Sequence, residues 1–167
     1  CDYPPTITHL PRVTTTRIDA DADAAQIDRQ VVTLLQNQAA LYELDRDKLA
    51  SLAPDIIVTQ AVCDVCAVSG ADVNALVDAL PGKPRVINLE PFSLGDVLET
   101  IGCIADAGGQ PERGKALHTQ LRERIDAVAA LTATLEARQI PRVTLIDWCA
   151  PPFIGGHWIP ELVRLAG

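Results

Sequence analysis

Apolar and polar positions alternate in several distinct ways along this chain, and each change of pattern predicts an element. Residues 1–19 hold Pro4, Pro5 and Pro11 among threonines, which denies a helix and predicts extended or looping chain. Asp21 and Asp23 then put negative charge where a helix N-terminus favours it. Ile27, Val31, Leu34, Leu35 and Tyr42 follow at helical spacing, so a helix is expected from about Ala24 to Tyr42. Asp45 caps a predicted short helix with Leu49 and Leu52 on its inner face and Pro54 as its stop. Residues 55–60, Asp-Ile-Ile-Val-Thr-Gln, form a β-branched run between a proline and a polar loop, the pattern of a parallel strand covered on both faces.

After the loop 61–71, Val73, Leu76, Val77 and Leu80 mark another helix closed by Pro81-Gly82, and residues 85–89 read as the next strand. Ser93 and Asp96 form a capping pair. Leu94, Val97, Leu98, Ile101, Ile104 and Ala105 make an apolar stripe, and Gly108-Gly109 ends it. The order β-α-β-α predicts a parallel sheet covered by helices. From Pro111 to about Arg138 one long helix is expected, roughly 40 Å at about 1.5 Å per residue. That is longer than a crossover within one compact lobe requires, so it is assigned to join two lobes. Residues 142–146 read as a further strand, and the polar loop from Asp147 leads into a last helix beginning near His157, with Ile159, Leu162, Val163 and Leu165 as its apolar positions. The predicted organisation is α/β: an N-terminal lobe over 1–110, a linking helix over 111–138, and the start of a second lobe over 139–167.

Composition narrows the function. The chain has 167 residues, 48% hydrophobic and 22% charged, enough to bury a core. No stretch approaches the roughly 18 apolar residues of a membrane span. A formal charge of -8 would repel a phosphate backbone, so nucleic acid is not expected as a partner. The chain opens on Cys1 and contains no Met, so it is expected to be a piece of a longer protein. Five cysteines at irregular spacing do not resemble a secreted disulfide framework. A reducing, cytoplasmic location is expected, with a periplasmic or cell-surface one as the alternative if a preceding segment carried an export signal.

In open parallel sheets the ligand site lies beyond the carboxyl ends of the strands, where loops and helix N-termini converge. Three segments qualify: 61–71, Glu90-Pro91-Phe92, and 147–158. The third holds Trp148, Phe153 and Trp158, half of the chain's six aromatics, which favours a planar or apolar ligand over ordinary packing beneath a loop. Gln60 and the loop after it, with Cys63, Asp64 and Cys66, form a second candidate surface. Cys63-Asp64-Val65-Cys66 has the spacing of half a zinc site or of a redox dithiol. As a metal site it needs two more ligands, from Cys1, His9, Cys149 or His157, so lining a ligand is the preferred role and metal or redox chemistry the alternative. His157 stands where the last helix starts and is read as a ligand contact, with a packed histidine as the competing role. Asp64, Glu90 and Asp147 are candidate acceptors. No Ser-His-Asp set, Gly-x-Gly-x-x-Gly or phosphate loop is present, so no enzymatic activity is expected.

Several segments, taken in order, resemble the iron-complex and cobalamin substrate-binding protein family, in particular its cobalamin-binding branch. They are Cys1-Asp2-Tyr3-Pro4-Pro5, Leu44-Asp45 through Leu52-Ala53-Pro54-Asp55-Ile56-Ile57-Val58, the long helix, and Arg142-Val143 leading to Pro151-Pro152-Phe153. Residues 63–69 and 156–162 are similar to the same branch. The resemblance implies two α/β lobes joined by one long helix, a ligand held in the cleft, and cobalamin or a related corrinoid as that ligand. An ABC importer is the implied partner. It also implies that Tyr3, the loop after Gln60 and Phe153 face the ligand; Trp148, His157 and Trp158 are added from loop position. Family members have a further strand-helix-strand unit ahead of the Asp-Tyr-Pro-Pro segment and about half a lobe beyond the last helix. Without these parts the sheets are expected to be incomplete and the chain prone to self-association through bare strand edges.

Overall fold

In the computed structural model the structure describes residues 4–37, 40–60 and 77–167. The chain divides into two compact units, Cys1–Val86 and Ile87–Gly167, each of which has its own packing.

In the first unit, β1 (Thr14–Thr16) pairs antiparallel with β2 (Tyr42–Leu44), in the register Thr14 with Leu44 and Thr16 with Tyr42. Between them runs α1 (Ala24–Gln36). Asp23 caps it through a reciprocal box with Gln26, each side chain taking the other's backbone N–H. The helix stops six residues short of Tyr42. Asn37 closes it, with both its backbone N–H and its side-chain amide donating to the Thr33 carbonyl. Tyr42 therefore belongs to a strand and not to the expected helix, because the threonine run of β1 offers it a ladder partner.

Helix α2 (Arg46–Leu52) begins as anticipated: the Asp45 carboxylate accepts from the Lys48 N–H at 2.9 Å. Leu49 is buried beside Leu80, with Val13, Leu44, Ala50 and Ile57 packed round them. Leu52, expected on the inner face, is 46% exposed. It is the last residue of the helix, on nearly the same side as Leu49 three residues before it, and the left-handed Ala53 ends the helix directly after it. Strand β3 (Ile56–Gln60) pairs with β4 (Arg85–Leu89). The N–H of Arg85, first residue of β4, donates to the carbonyl of Asp55, just before β3, so the two strands start at the same end and run parallel. Of the helix expected between them, residues 77–79 are described and are helical.

The second unit is built on three helices: α3 (Leu94–Ala107), α4 (Pro111–Thr132) and α5 (Ile159–Leu165), each packed against the other two. Leu94 and Leu98 form the buried floor, and the Thr132 hydroxyl ties the end of α4 to the Leu165 carbonyl at 2.9 Å. Helix α4 ends at Thr132 and not near Arg138. The hydroxyls of Thr132 and Thr134 bond back to carbonyls of the preceding turn, a competition that residues of this type bring to a helix end. Residues 142–146 do not form the expected strand. The strand is β5 (Ile146–Cys149), folded antiparallel on β6 (Pro152–Ile154) round Ala150 and Pro151. A strand exists only where a ladder partner is available; here that partner is the chain's own return, and the Leu145 carbonyl joins by accepting from the Gly155 N–H.

Ser93 and Asp96 make the anticipated capping box at α3. The N–H groups of Phe92 and then Ser93, with the Ser93 hydroxyl, hold the Asp96 carboxyl below its ordinary pKa. A depressed carboxylate stabilises the folded state above its unfolded pKa and ceases to as pH falls through the folded value. The gap in melting temperature between the wild-type chain and Asp96→Asn should therefore narrow as pH drops below about 4. A gap unchanged from pH 6 to pH 2 would remove Asp96 from the cap.

Candidate functional site

The segment after β4 and the segment after β6 meet within the second unit. Phe92, in the first, stacks on His157, in the second, with ring centroids 5.8 Å apart and planes 30° from parallel. His157 in turn lies 5.8 Å from Trp158 at 47°. Offset and tilted arrangements of this kind match the preference set by ring quadrupoles. Phe92 remains 56% exposed, so its ring is held from one side and offers surface on the other.

Three local features bring these rings together. The Leu94 N–H, in the first turn of α3, donates to Glu161 Oε2 at 2.9 Å, which fastens the start of α5 to the start of α3. Gly155 passes so close to the next helix that a Cβ there would lie 2.7 Å from Ile159 Cγ2 and 2.8 Å from Leu145 Cδ2. His157 has φ +51°, a left-handed conformation that costs a residue with a Cβ about 1–2 kcal/mol. Unlike Ala53, which takes that conformation to close a helix, His157 precedes one, and the conformation serves to place its ring between Phe92 and Trp158.

Trp148 and Phe153 form a separate pair. They stand opposite each other in the β5–β6 ladder and so share one face of the hairpin. Trp148 is half-buried, its indole N–H donating to the Ala150 carbonyl at 3.0 Å, while Phe153 is 53% exposed. Asp147, at the irregularity in β5, is exposed, and Glu90 accepts from the Asn88 side-chain amide. Gln60 is exposed at the end of β3, in the first unit. Tyr3, Cys63, Asp64 and Cys66 lie outside the described residues. Among the described residues no three His, Cys, Asp or Glu side chains gather as a metal set, and Cys103 and Cys149 are free thiols. No described helix is long and apolar enough to cross a membrane.

Phe92 and Glu161 are the parts of this arrangement to which sequence reasoning gave no individual role. Phe92 carried a usable signal, as one of two phenylalanines in the chain and placed just past a strand's carboxyl end. Glu161 carried none, since its partner is 67 residues away.

No protein-family model matches the sequence, and no curated protein matches it. Among solved structures the chain is similar to an ABC transporter substrate-binding protein from Listeria monocytogenes EGD-e, at 19% identity and a TM-score of 0.55, over 74% of this chain and 45% of that one. The chain thus spans less than half the length of that protein. At this identity the likeness is one of fold, and the mixed α/β fold seen here is like that of a substrate-binding protein.

Proposed function

We propose that the chain binds a small molecule, as the substrate-binding component of an ABC importer does, and that its ligand is cobalamin or a related corrinoid. The observation that carries this reading is the Phe92–His157–Trp158 cluster, where segments beyond two strands deliver aromatic rings to one place in a fold like that of a substrate-binding protein. A flat macrocycle presents faces that such rings can stack on, and the motif resemblance in residues 44–58, 63–69 and 156–162 favours a corrinoid in particular. The role is that of a carrier: it holds its ligand and breaks no bond.

Equilibrium dialysis against cyanocobalamin, followed by its visible absorption, tests this directly. Saturable binding is expected, with Phe92→Ala weakening it about tenfold or more, equivalent to about 1.4 kcal/mol. The melting temperature should barely move, since the Phe92 ring is largely exposed. Trp158→Ala should weaken binding similarly. Absence of saturable binding, or an affinity indifferent to Phe92, would overturn the proposal.

A further inference from the structure

Helix α5 is too short to hold its own place. Seven residues fall well below the length at which a helix is stable alone in water, and its N-cap residue, Trp158, makes no side-chain cap bond. Its position is therefore set from outside, by apolar packing and by two polar ties. At its start Glu161 Oε2 accepts from the Leu94 N–H of α3 at 2.9 Å, and one turn later the Leu165 carbonyl accepts from the Thr132 hydroxyl of α4 at 2.9 Å. The first tie is the harder to replace. The Leu94 N–H lies in the first turn of α3, where no intrahelical carbonyl can take it, and Leu94 is 7% exposed, so little water reaches it in place of Glu161. The ion pair between Glu161 and Arg164 adds little, being 3.9 Å long with the arginine largely in water.

We infer that Glu161 is the positioning residue of the aromatic site: it sets the affinity for ligand by holding His157 and Trp158 against Phe92, and makes no ligand contact of its own. This rests on the reading of that cluster as a ligand site. The connection along the chain is short. Phe92 precedes Leu94 by two residues and Trp158 precedes Glu161 by three, so one hydrogen bond fixes the separation of the two segments that carry the rings. The left-handed backbone of His157 persists only where its surroundings enforce it, and the Glu161 tie is the polar part of those surroundings. A ligand that must first gather separated rings gives up affinity to do so.

Three variants test this: Glu161→Leu removes the acceptor, Glu161→Gln keeps an acceptor oxygen, and Thr132→Val cuts the other tie. The readouts are the ring-proton NMR shifts of His157 in ligand-free protein, assigned through their change in Phe92→Ala, and equilibrium dialysis against cyanocobalamin. Glu161→Leu should carry the His157 shifts toward those of Phe92→Ala and weaken cyanocobalamin at least about tenfold. Glu161→Gln should restore the shifts and bring affinity back to within about threefold of wild type. Thr132→Val should lower the melting temperature and leave shifts and affinity as they are. Unchanged His157 shifts in Glu161→Leu, or an equal loss of affinity in Thr132→Val, would overturn the inference. So would a Glu161→Leu chain that no longer melts cooperatively, since Glu161 would then support the whole unit and not the rings. A wild-type chain that fails to bind cyanocobalamin overturns the functional reading instead, and the ligand-free shifts then decide whether Glu161 positions the rings.

Discussion

Gly114→Leu should abolish cooperative thermal unfolding of the second unit, whereas Gly102→Ala, one helix away, should raise its melting temperature. Both glycines sit inside helices, where replacing Gly by a residue with a side chain ordinarily stabilises by up to about 1 kcal/mol. Their surroundings reverse the sign. Gly114 is buried where α4 crosses α3, and a Cβ there would come within 2.4 Å of the Ala105 Cβ. Even Ala at this position overpacks the crossing, at about 1–3 kcal/mol, and Leu adds three more carbons that only separation of the helices could house. Nothing lies within 4 Å of a Cβ built on Gly102, so Ala there keeps the backbone benefit without a clash. Differential scanning calorimetry on the two variants distinguishes these outcomes. A Gly114→Leu chain that melts like wild type would show that α3 and α4 do not cross at this point. Adding Ala105→Gly to Gly114→Ala should recover much of that variant's loss, because neighbours in contact couple.

Leu98→Ala should cost about 2–5 kcal/mol, the usual range for emptying a buried leucine site. Leu98 is 3% exposed, the deepest of the buried hydrophobic side chains among the described residues, and it stands where α3, α4 and α5 converge. At about 4–8 °C of melting temperature per kcal/mol for a unit of this size, the change is large enough to read from a thermal scan. A loss below about 1 kcal/mol would mean that the site collapses to fill the space, as a core open to one side is able to do.

The parts of the fold legible in the sequence are those decided within a few residues. Asp45, Ser93 and Asp96 announced their caps because a cap is a bond between residues three apart. Residues 55–60 announced a strand through the β-branched run Ile56-Ile57-Val58-Thr59. Tyr42 and residues 142–146 were misplaced because strand membership depends on a partner that local pattern does not reveal: Thr14–Thr16 for the first, and the returning residues 152–154 that drew the strand to Ile146–Cys149 for the second. The candidate site depended on distant partners in the same way. That segments 90–92 and 157–158 come together was not legible from strand order, since β4 and β6 belong to different sheets and the tie between the segments is the Leu94–Glu161 bond. That Phe92 lies on His157, or that Trp148 faces Phe153 across a hairpin, depends on register and on the Glu161 tie, neither of which is periodic.

The start of α3 also has an electrical consequence. A helix N-terminus normally attracts anions, through its unpaired N–H groups and the positive end of its dipole. Here the N–H groups of Phe92 and Ser93 are given to the Asp96 carboxylate and that of Leu94 to Glu161, so two negative side chains already occupy the position that a phosphate or carboxylate would take. The rings of Phe92, His157 and Trp158 therefore sit beside a helix end whose sign has been inverted. In the proposed binding role, a neutral or cationic group is favoured beside the start of α3 over an anionic one, with Arg164 beside Glu161 moderating the difference.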